Sequence, residues 1–415
     1  MALSDKHVLV VHGGAGIMSR EGSTPAQRAA YKAGLRDALV AGYNILHNGG
    51  EAMDAVVAAA SIMEAAKAPY STSTAKSLIA QRTLGLVLTP AFVSQNELEA
   101  SLMLSKPPAS ASHPAIPPSR RGLGATLLTR TRNPSQLVRA LYLAPSAAPH
   151  VFLSGAAAES LGESLGVHLV DPSYFFTERR WREHRRGLGL PEDPLPEHRV
   201  SADADAVQPM PALDQLPAGT VGAVALDGRG CIAVLTSTGG RTNKLVGRIG
   251  DTPSMGSGYW AEQWSSPQGN WFQKLTEGVF NSQQGPRAVG VSGTGDGDYF
   301  IRLNTAVTIA RRIQYLHEPL EAAAQTAVED LRVEGGSGGV IALDDLGNGV
   351  FVSLFRGRFL TPFLVSMPKS LNQMRTGGKI IIRSSSKRIC VIYDLPYRNA
   401  DGSIPFWSGQ SFSLA

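Results

Sequence analysis

Thr220-Val-Gly222-Ala-Val-Ala-Leu226, then Asp227-Gly228, then Ile232-Ala-Val-Leu235-Thr-Ser-Thr238 form one continuous stretch, and its reading decides the fold. Gly222–Leu226 is a short apolar run, Asp227-Gly228 is a turn, and Ile232–Leu235 is a second apolar run. Two such runs bounded by turn residues read as the strands of a hairpin. Antiparallel pairing brings the outer ends of a hairpin together. Thr220, at its first residue, should therefore meet Thr238, at the far end of the return strand. A threonine hydroxyl inside a chain is a poor nucleophile, because nothing takes its proton. If the Gly219–Thr220 bond breaks, the freed α-amine, with a pKa of about 7.7–8.0, can serve as base for its own hydroxyl. Gly219 suits that event, since a residue without a Cβ lets its carbonyl be approached closely.

Working outward, residues 219–297 hold four blocks in order: Gly219-Thr220-Val221-Gly222, Thr236-Ser237-Thr238-Gly239-Gly240, Gly247-Arg248-Ile249-Gly250-Asp251, and Ser292-Gly293-Thr294-Gly295-Asp296-Gly297. Taken singly they are a strand end, a loop with an ion pair, and a flexible linker. Taken together they supply a nucleophile, a head-group clamp and oxyanion donors. A substrate with a free α-carboxylate and α-ammonium needs one fixed cation and one fixed anion. Arg248 offers a planar fork for the carboxylate, and Asp251 an acceptor for the ammonium. The Thr294 hydroxyl and the Gly295 N–H are the candidates for oxyanion donors, a preorganised set worth several kcal/mol.

These blocks resemble the plant-type asparaginase/isoaspartyl peptidase family, N-terminal-nucleophile hydrolases that cut themselves into two subunits. Val10-Val-His-Gly-Gly-Ala-Gly16, Asp171–Trp181 and Gly338–Asp344 share the likeness, which spans roughly residues 6–345. The resemblance implies an α+β fold, the αββα four-layer sandwich of Ntn hydrolases. It implies cleavage between Gly219 and Thr220, and the side-chain amide of L-asparagine or β-aspartyl peptides as substrate. It places the catalytic roles on Thr220, Thr238, Thr294 and Gly295. Substrate binding falls on Arg248, Ile249, Gly250, Asp251, Asp296 and Gly297. It further implies a homodimer of processed units. A related group acting on glycosylated asparagine tends to have Asp before the nucleophile and Thr-Ser-Thr-Asn-Gly, where this chain has Gly219 and Gly239.

The whole 415-residue chain fits a hydrolase of this kind. It is 43% hydrophobic and 18% charged, with a net charge of +5. The basic run Arg179–Arg186 could touch RNA, but a solvated helix face is the simpler reading, so no nucleic-acid partner is expected. Cys231 and Cys390 make no disulfide framework or zinc set. No apolar run reaches membrane-spanning length and the start lacks a signal pattern, so the expected location is cytoplasmic with no membrane contact. Val8–Val11 is a buried strand, and His12 at its end reads as a structural hydrogen-bonder. The glycines after it lack the third member of a dinucleotide-binding turn, so no cofactor is expected. Helices are predicted at about Ala26–His47, Glu51–Lys67, Pro134–Leu143, Ala156–Leu165 and Asn304–Tyr315. Three parts follow: 1–219, with a linker at 187–218 before the cleavage site; 220–348; and a divergent tail at 349–415. The stretch Trp260–Pro286 reads as an insertion near Tyr259, either shaping the entrance to the site or packing as a surface loop.

Two stretches break the likeness, 68–95 and the tail from Gly349. Similar proteins carry an Asn-x-Gly-x-Gly segment in the first, forming a sodium-binding loop, whereas no glycine occurs here between Gly50 and Gly85. Out-of-frame translation and true divergence both remain open, and with them an unprocessed, catalytically impaired homologue.

Overall fold

The structure, a computed structural model, describes residues 7–14, 25–65, 96–109, 116–176, 178–191, 220–264, 287–354, 363–365, 372–376, 379–383 and 389–392. Segment 68–95, most of the linker at 187–218, Gly219, Trp271 and much of the tail lie outside the described residues.

Strand β1 (Val8–His12) leads to α1 (Pro25–His47) and α2 (Ala52–Ala65). Then come β2 (Leu98–Leu104), β3 (Gly122–Leu128), α3 (Pro134–Tyr142), β4 (Phe152–Ser154), α4 (Gly155–Ser164) and α5 (Glu178–Gly187). The hairpin read from the sequence is β5 (Val221–Leu226) with β6 (Ile232–Thr238). It is followed by β7 (Tyr259–Trp264), β8 (Arg287–Gly295), α6 (Gly297–Leu303), α7 (Thr305–Leu316), α8 (Leu320–Val333), β9 (Gly338–Asp344) and β10 (Gly349–Leu354).

The strands form a seven-stranded sheet, in which β11 (Phe363–Val365) flanks β1-β5-β6-β2-β3-β4, and a four-stranded sheet ordered β10-β9-β8-β7. Three hydrophobic clusters fill three interfaces. One lies between the large sheet and helices α1–α4, among them Leu35, Met53, Met63, Leu102 and Leu137. A second lies between the two sheets, where Val10, Val224, Ile232 and Val234 meet Tyr259, Ile341 and Leu343. The third lies between the small sheet and α7–α8, around Phe300, Ile309, Val328 and Val340. Alternation explains how one strand serves two of these. In β5, Ala223 and Ala225 belong to the helix-side cluster while Val224 and Leu226 belong to the inter-sheet one. Gly290 of β8 lets the sheets close, since a Cβ there would lie 2.5 Å from Ile232 Cγ2.

One expectation needs correction. Of the stretch Trp260–Pro286, read as an insertion, Trp260–Trp264 completes a strand that begins at Tyr259 and is hydrogen-bonded to β8, with Tyr259 fully buried and opposite Ser292. Tyr259 therefore belongs to the inter-sheet core, and Trp260 packs on Arg311, 5.5 Å from its ring. The helix read at Asn304–Tyr315 is present as α7, and Asn304, left-handed at φ 46°, separates it from the shorter α6 before it. Gly349–Leu354, at the head of the segment read as a divergent tail, pairs along the whole of Gly338–Leu343.

Candidate active site

The β5–β6 register sets Val221 against Ser237 and Gly222 against Thr236, which puts Thr220 beside Thr238. Thr220 Oγ1 donates to Thr238 Oγ1 at 3.1 Å, and the Gly240 N–H donates to the same oxygen at 3.1 Å. Thr238 is thus fixed as an acceptor for the Thr220 hydroxyl. Below this pair the core turns polar. Gly222 carries no side chain, and a Cβ there would stand 2.2 Å from Ser292 Oγ and 2.3 Å from His12 Nε2. Ser292 Oγ lies 3.0 Å from His12 Nε2 and 2.7 Å from Thr236 Oγ1. Burial lowers the His12 pKa to about 3, so the ring is neutral at working pH, in keeping with a structural role.

Strand β8 crosses β6 in step. Gly290 lies against Val234 and Ser292 against Thr236. Thr294, two residues further along β8, is buried and pairs with Gly339 of β9. Gly295 follows at φ 149°, and a Cβ there would stand 2.4 Å from the Ser337 carbonyl oxygen, so only glycine fits. Asp296 turns away from this point: its Oδ2 accepts from the Ser337 N–H at 3.0 Å.

Gly297 opens space for the clamp. A Cβ there would lie 2.4 Å from Asp251 Oδ1 and 3.0 Å from Arg248 Nη2. All four blocks therefore converge, although Arg248 and Asp251 differ in state. Arg248 forks onto Asp298 Oδ1 through Nε at 3.2 Å and Nη2 at 2.9 Å. Asp251 is buried, and its Oδ2 has no hydrogen-bond partner among the described residues. Burial first, and then the nearby Glu99 charge, raise its pKa to about 7. A buried acceptor without a donor is what an incoming ammonium would satisfy. Ile249 is half-buried between them, and the Gly250 N–H donates to Glu99 Oε1 at 3.1 Å.

Sequence reasoning missed Glu99, Lys244 and Asp298. Glu99 sits in an otherwise apolar strand, and its partners lie far along the chain. Asp298 directly follows Gly297 and was legible only as a loop charge. The basic run Arg179–Arg186 is on α5, which docks rather than floats: His184 Nδ1 lies 2.5 Å from Asn243 Oδ1, beside the clamp block.

The segment 68–95, where the resemblance implies a sodium-binding loop, lies outside the described residues. Glu64, at the end of α2, accepts hydrogen bonds from Ser135, Asn133 and Ser237. Among the described residues no cluster of three metal-ligating side chains occurs. No step of the chemistry is routed through an ion.

A small-residue hairpin ending in paired threonines, beside an arginine–aspartate clamp and a Thr-Gly turn, defines an amidohydrolase-type site. The sequence profile of the Asparaginase family matches residues 5–83, 119–266 and 285–356, and the chain belongs to that family. The match runs through 66–83 and on to 356, so both divergent stretches begin later than the motifs alone suggest. The isoaspartyl peptidase of Salmonella typhimurium is 31% identical over 345 residues, covering 83% of this chain and 91% of that protein. The isoaspartyl peptidase of Escherichia coli is 31% identical over 344 residues, covering 83% and 88%. The isoaspartyl peptidase/L-asparaginase of Xenopus laevis is 30% identical over 344 residues, covering 83% and 87%. Among the described residues no helix is long and apolar enough to cross a membrane.

Proposed function

We propose that this chain breaks its own backbone between Gly219 and Thr220 and then hydrolyses the side-chain amide of L-asparagine and β-aspartyl peptides. The observation that carries this is the 3.1 Å hydrogen bond from Thr220 Oγ1 to Thr238 Oγ1. In the processed protein the Thr220 α-amine takes the proton of its own hydroxyl, and Oγ1 attacks the substrate carbonyl. The Thr294 hydroxyl and Gly295 N–H hold the resulting oxyanion. The leaving ammonia or amine departs with the proton, leaving an ester on Thr220. Water, deprotonated by the same amine, attacks that ester and releases aspartate. Arg248 grips the α-carboxylate, exchanging Asp298 for substrate, and Asp251 takes the α-ammonium. Ile249, Gly250 and Gly297 shape the clamp, and the Asp296 backbone continues it.

The reaction draws on residues of this chain and needs no cofactor, since nucleophile, base and clamp are all protein groups. The three core interfaces support the four-layer αββα sandwich of Ntn hydrolases, with residues 1–219 and 220–348 as the two halves. A homodimer of processed units in the cytoplasm, acting on small molecules rather than nucleic acid, completes the reading.

Intact mass spectrometry after prolonged incubation tests it. The wild type should yield fragments of 219 and 196 residues (415 − 219), the second beginning Thr-Val-Gly-Ala. Thr220→Ala should stay whole. A wild type that also stays whole would make this an unprocessed member of its family and sink the enzymatic reading.

A further inference from the structure

Glu99 is fully buried on β2, directly in register with Thr238 on β6. Its Oε1 accepts from the Gly250 N–H and from Thr126 Oγ1, both at 3.1 Å. Lys244, also buried, lies 3.6 Å from that oxygen and 3.2 Å from Glu97 Oε2, and donates to the Arg248 carbonyl at 3.0 Å. The Arg248–Asp251 turn is therefore held at two backbone points, the Arg248 carbonyl by Lys244 and the Gly250 N–H by Glu99. Both holds run into the strand hydrogen-bonded to the one bearing Thr238. Glu99 Oε2 has no partner among the described residues, and a Cβ on Gly250 would stand 2.8 Å from it, so the turn is pressed against the carboxylate.

We infer that Glu99, through the Gly250 N–H and in concert with Lys244, is the positioning residue that fixes the head-group clamp relative to Thr220. This rests on the reading above, in which Arg248 and Asp251 bind the substrate's charged end. A clamp held on strand β2 keeps the distance from α-carbon to scissile carbonyl constant, and small displacements of a positioned substrate are costly. Glu99 also sets the charge that Asp251 experiences. The groups facing Asp251 are Glu99 from β2, Arg248 from its own turn and Asp298 from α6, with Lys244 and Glu97 adjoining.

Two variants separate the anchor from the charge. Glu99→Ala removes the acceptor for Gly250. Glu99→Gln keeps an acceptor oxygen and removes the charge. Both should still cleave themselves at Gly219–Thr220, because the Thr220–Thr238 pair is untouched. Glu99→Ala should raise KM for L-asparagine by roughly tenfold with kcat changed less than about threefold, the loss expected of one buried hydrogen bond in a binding element. Glu99→Gln should raise KM less, and should move the acid limb of 1/KM down by about half to one pH unit, as removing a neighbouring negative charge lowers a carboxyl pKa. Calorimetric titration with L-aspartate, which needs no turnover, should show the same ranking in Kd. A fall in kcat with KM unmoved in Glu99→Ala, or an unmoved acid limb in Glu99→Gln, overturns the assignment. If Glu99→Ala does not fold, the Glu99→Gln limb decides. A wild type that neither cleaves itself nor turns over asparagine defeats the underlying reading instead, and aspartate binding then still judges Glu99.

Discussion

Asp251 shows how one buried carboxyl couples binding, pH and stability. Its pKa, raised to about 7, means that the free site holds it protonated in mild acid. An ammonium binds the ionised form, so 1/KM for L-asparagine should fall as pH drops below about 7, and a pH series of KM checks this. The stability consequence has the opposite sense. A carboxyl whose folded pKa is raised contributes stability fully present below its unfolded pKa, near 3.8, and lost as pH rises through the folded value near 7. The shift is about 7 − 3.8, or roughly 3 units, an upper bound near 4 kcal/mol at about 1.4 kcal/mol per unit. Asp251→Asn should therefore unfold at higher denaturant than wild type at pH 8, by on the order of 2–4 kcal/mol, match it near pH 4, and lose hydrolysis. Asp298 offers a gentler test. It is 61% exposed, so its pair with Arg248 carries about 0.2–1 kcal/mol. Freeing Arg248 by Asp298→Asn should lower KM by less than about fivefold, and a rise in KM would show that Asp298 orients Arg248 instead of competing for it.

At the level of elements, the hairpin that carries Thr220 works because its strand is thin on one face. Gly222 admits Ser292 and His12 into the space that a side chain would fill. Gly222→Ala should cost about 1–3 kcal/mol by overpacking and should slow self-cleavage, as measured by denaturation and by the rate of fragment appearance. Retained processing with unchanged stability would mean that β5 shifts freely. This hairpin was legible in the sequence because its determinants are local: two apolar runs, a turn, and threonines at matching ends. The longer helices were legible for the same reason, down to the stop at Asn48-Gly49-Gly50 after α1. Trp260–Trp264 was misread as the start of an insertion because its half-buried tryptophans pack against a cluster that forms only once the layers assemble. Glu99 was invisible because Thr126, Lys244 and Gly250 become its partners only through sheet pairing across 27, 145 and 151 positions. Local pattern gave the chemistry's first actors, and tertiary structure supplied those that hold them.

Across the whole molecule, the proposed cleavage would cut a chain whose halves are already interleaved. In the large sheet β5 and β6, from after Thr220, lie between β1 and β2, from before Gly219. β5 pairs with β1 from Leu226 against Val8 through Gly222 against His12, and β6 pairs with β2 from Thr238 against Glu99 through Ala233 against Leu104. Two full ladders and the inter-sheet core thus cross the cut, while the bond itself precedes the first residue of β5. Breaking it removes no buried contact on either ladder, and separating the halves would expose apolar faces at about 25 cal/mol per Å². The processed protein should therefore elute from native size exclusion as one species containing both fragments, which part only in denaturant. Because the covalent link no longer restricts the unfolded chain, unfolding of processed material should depend on protein concentration, whereas unfolding of uncleaved Thr220→Ala should not. Fragments that separate without denaturant would show that the ladders β1–β5 and β2–β6 do not hold the site together once Thr220 is free.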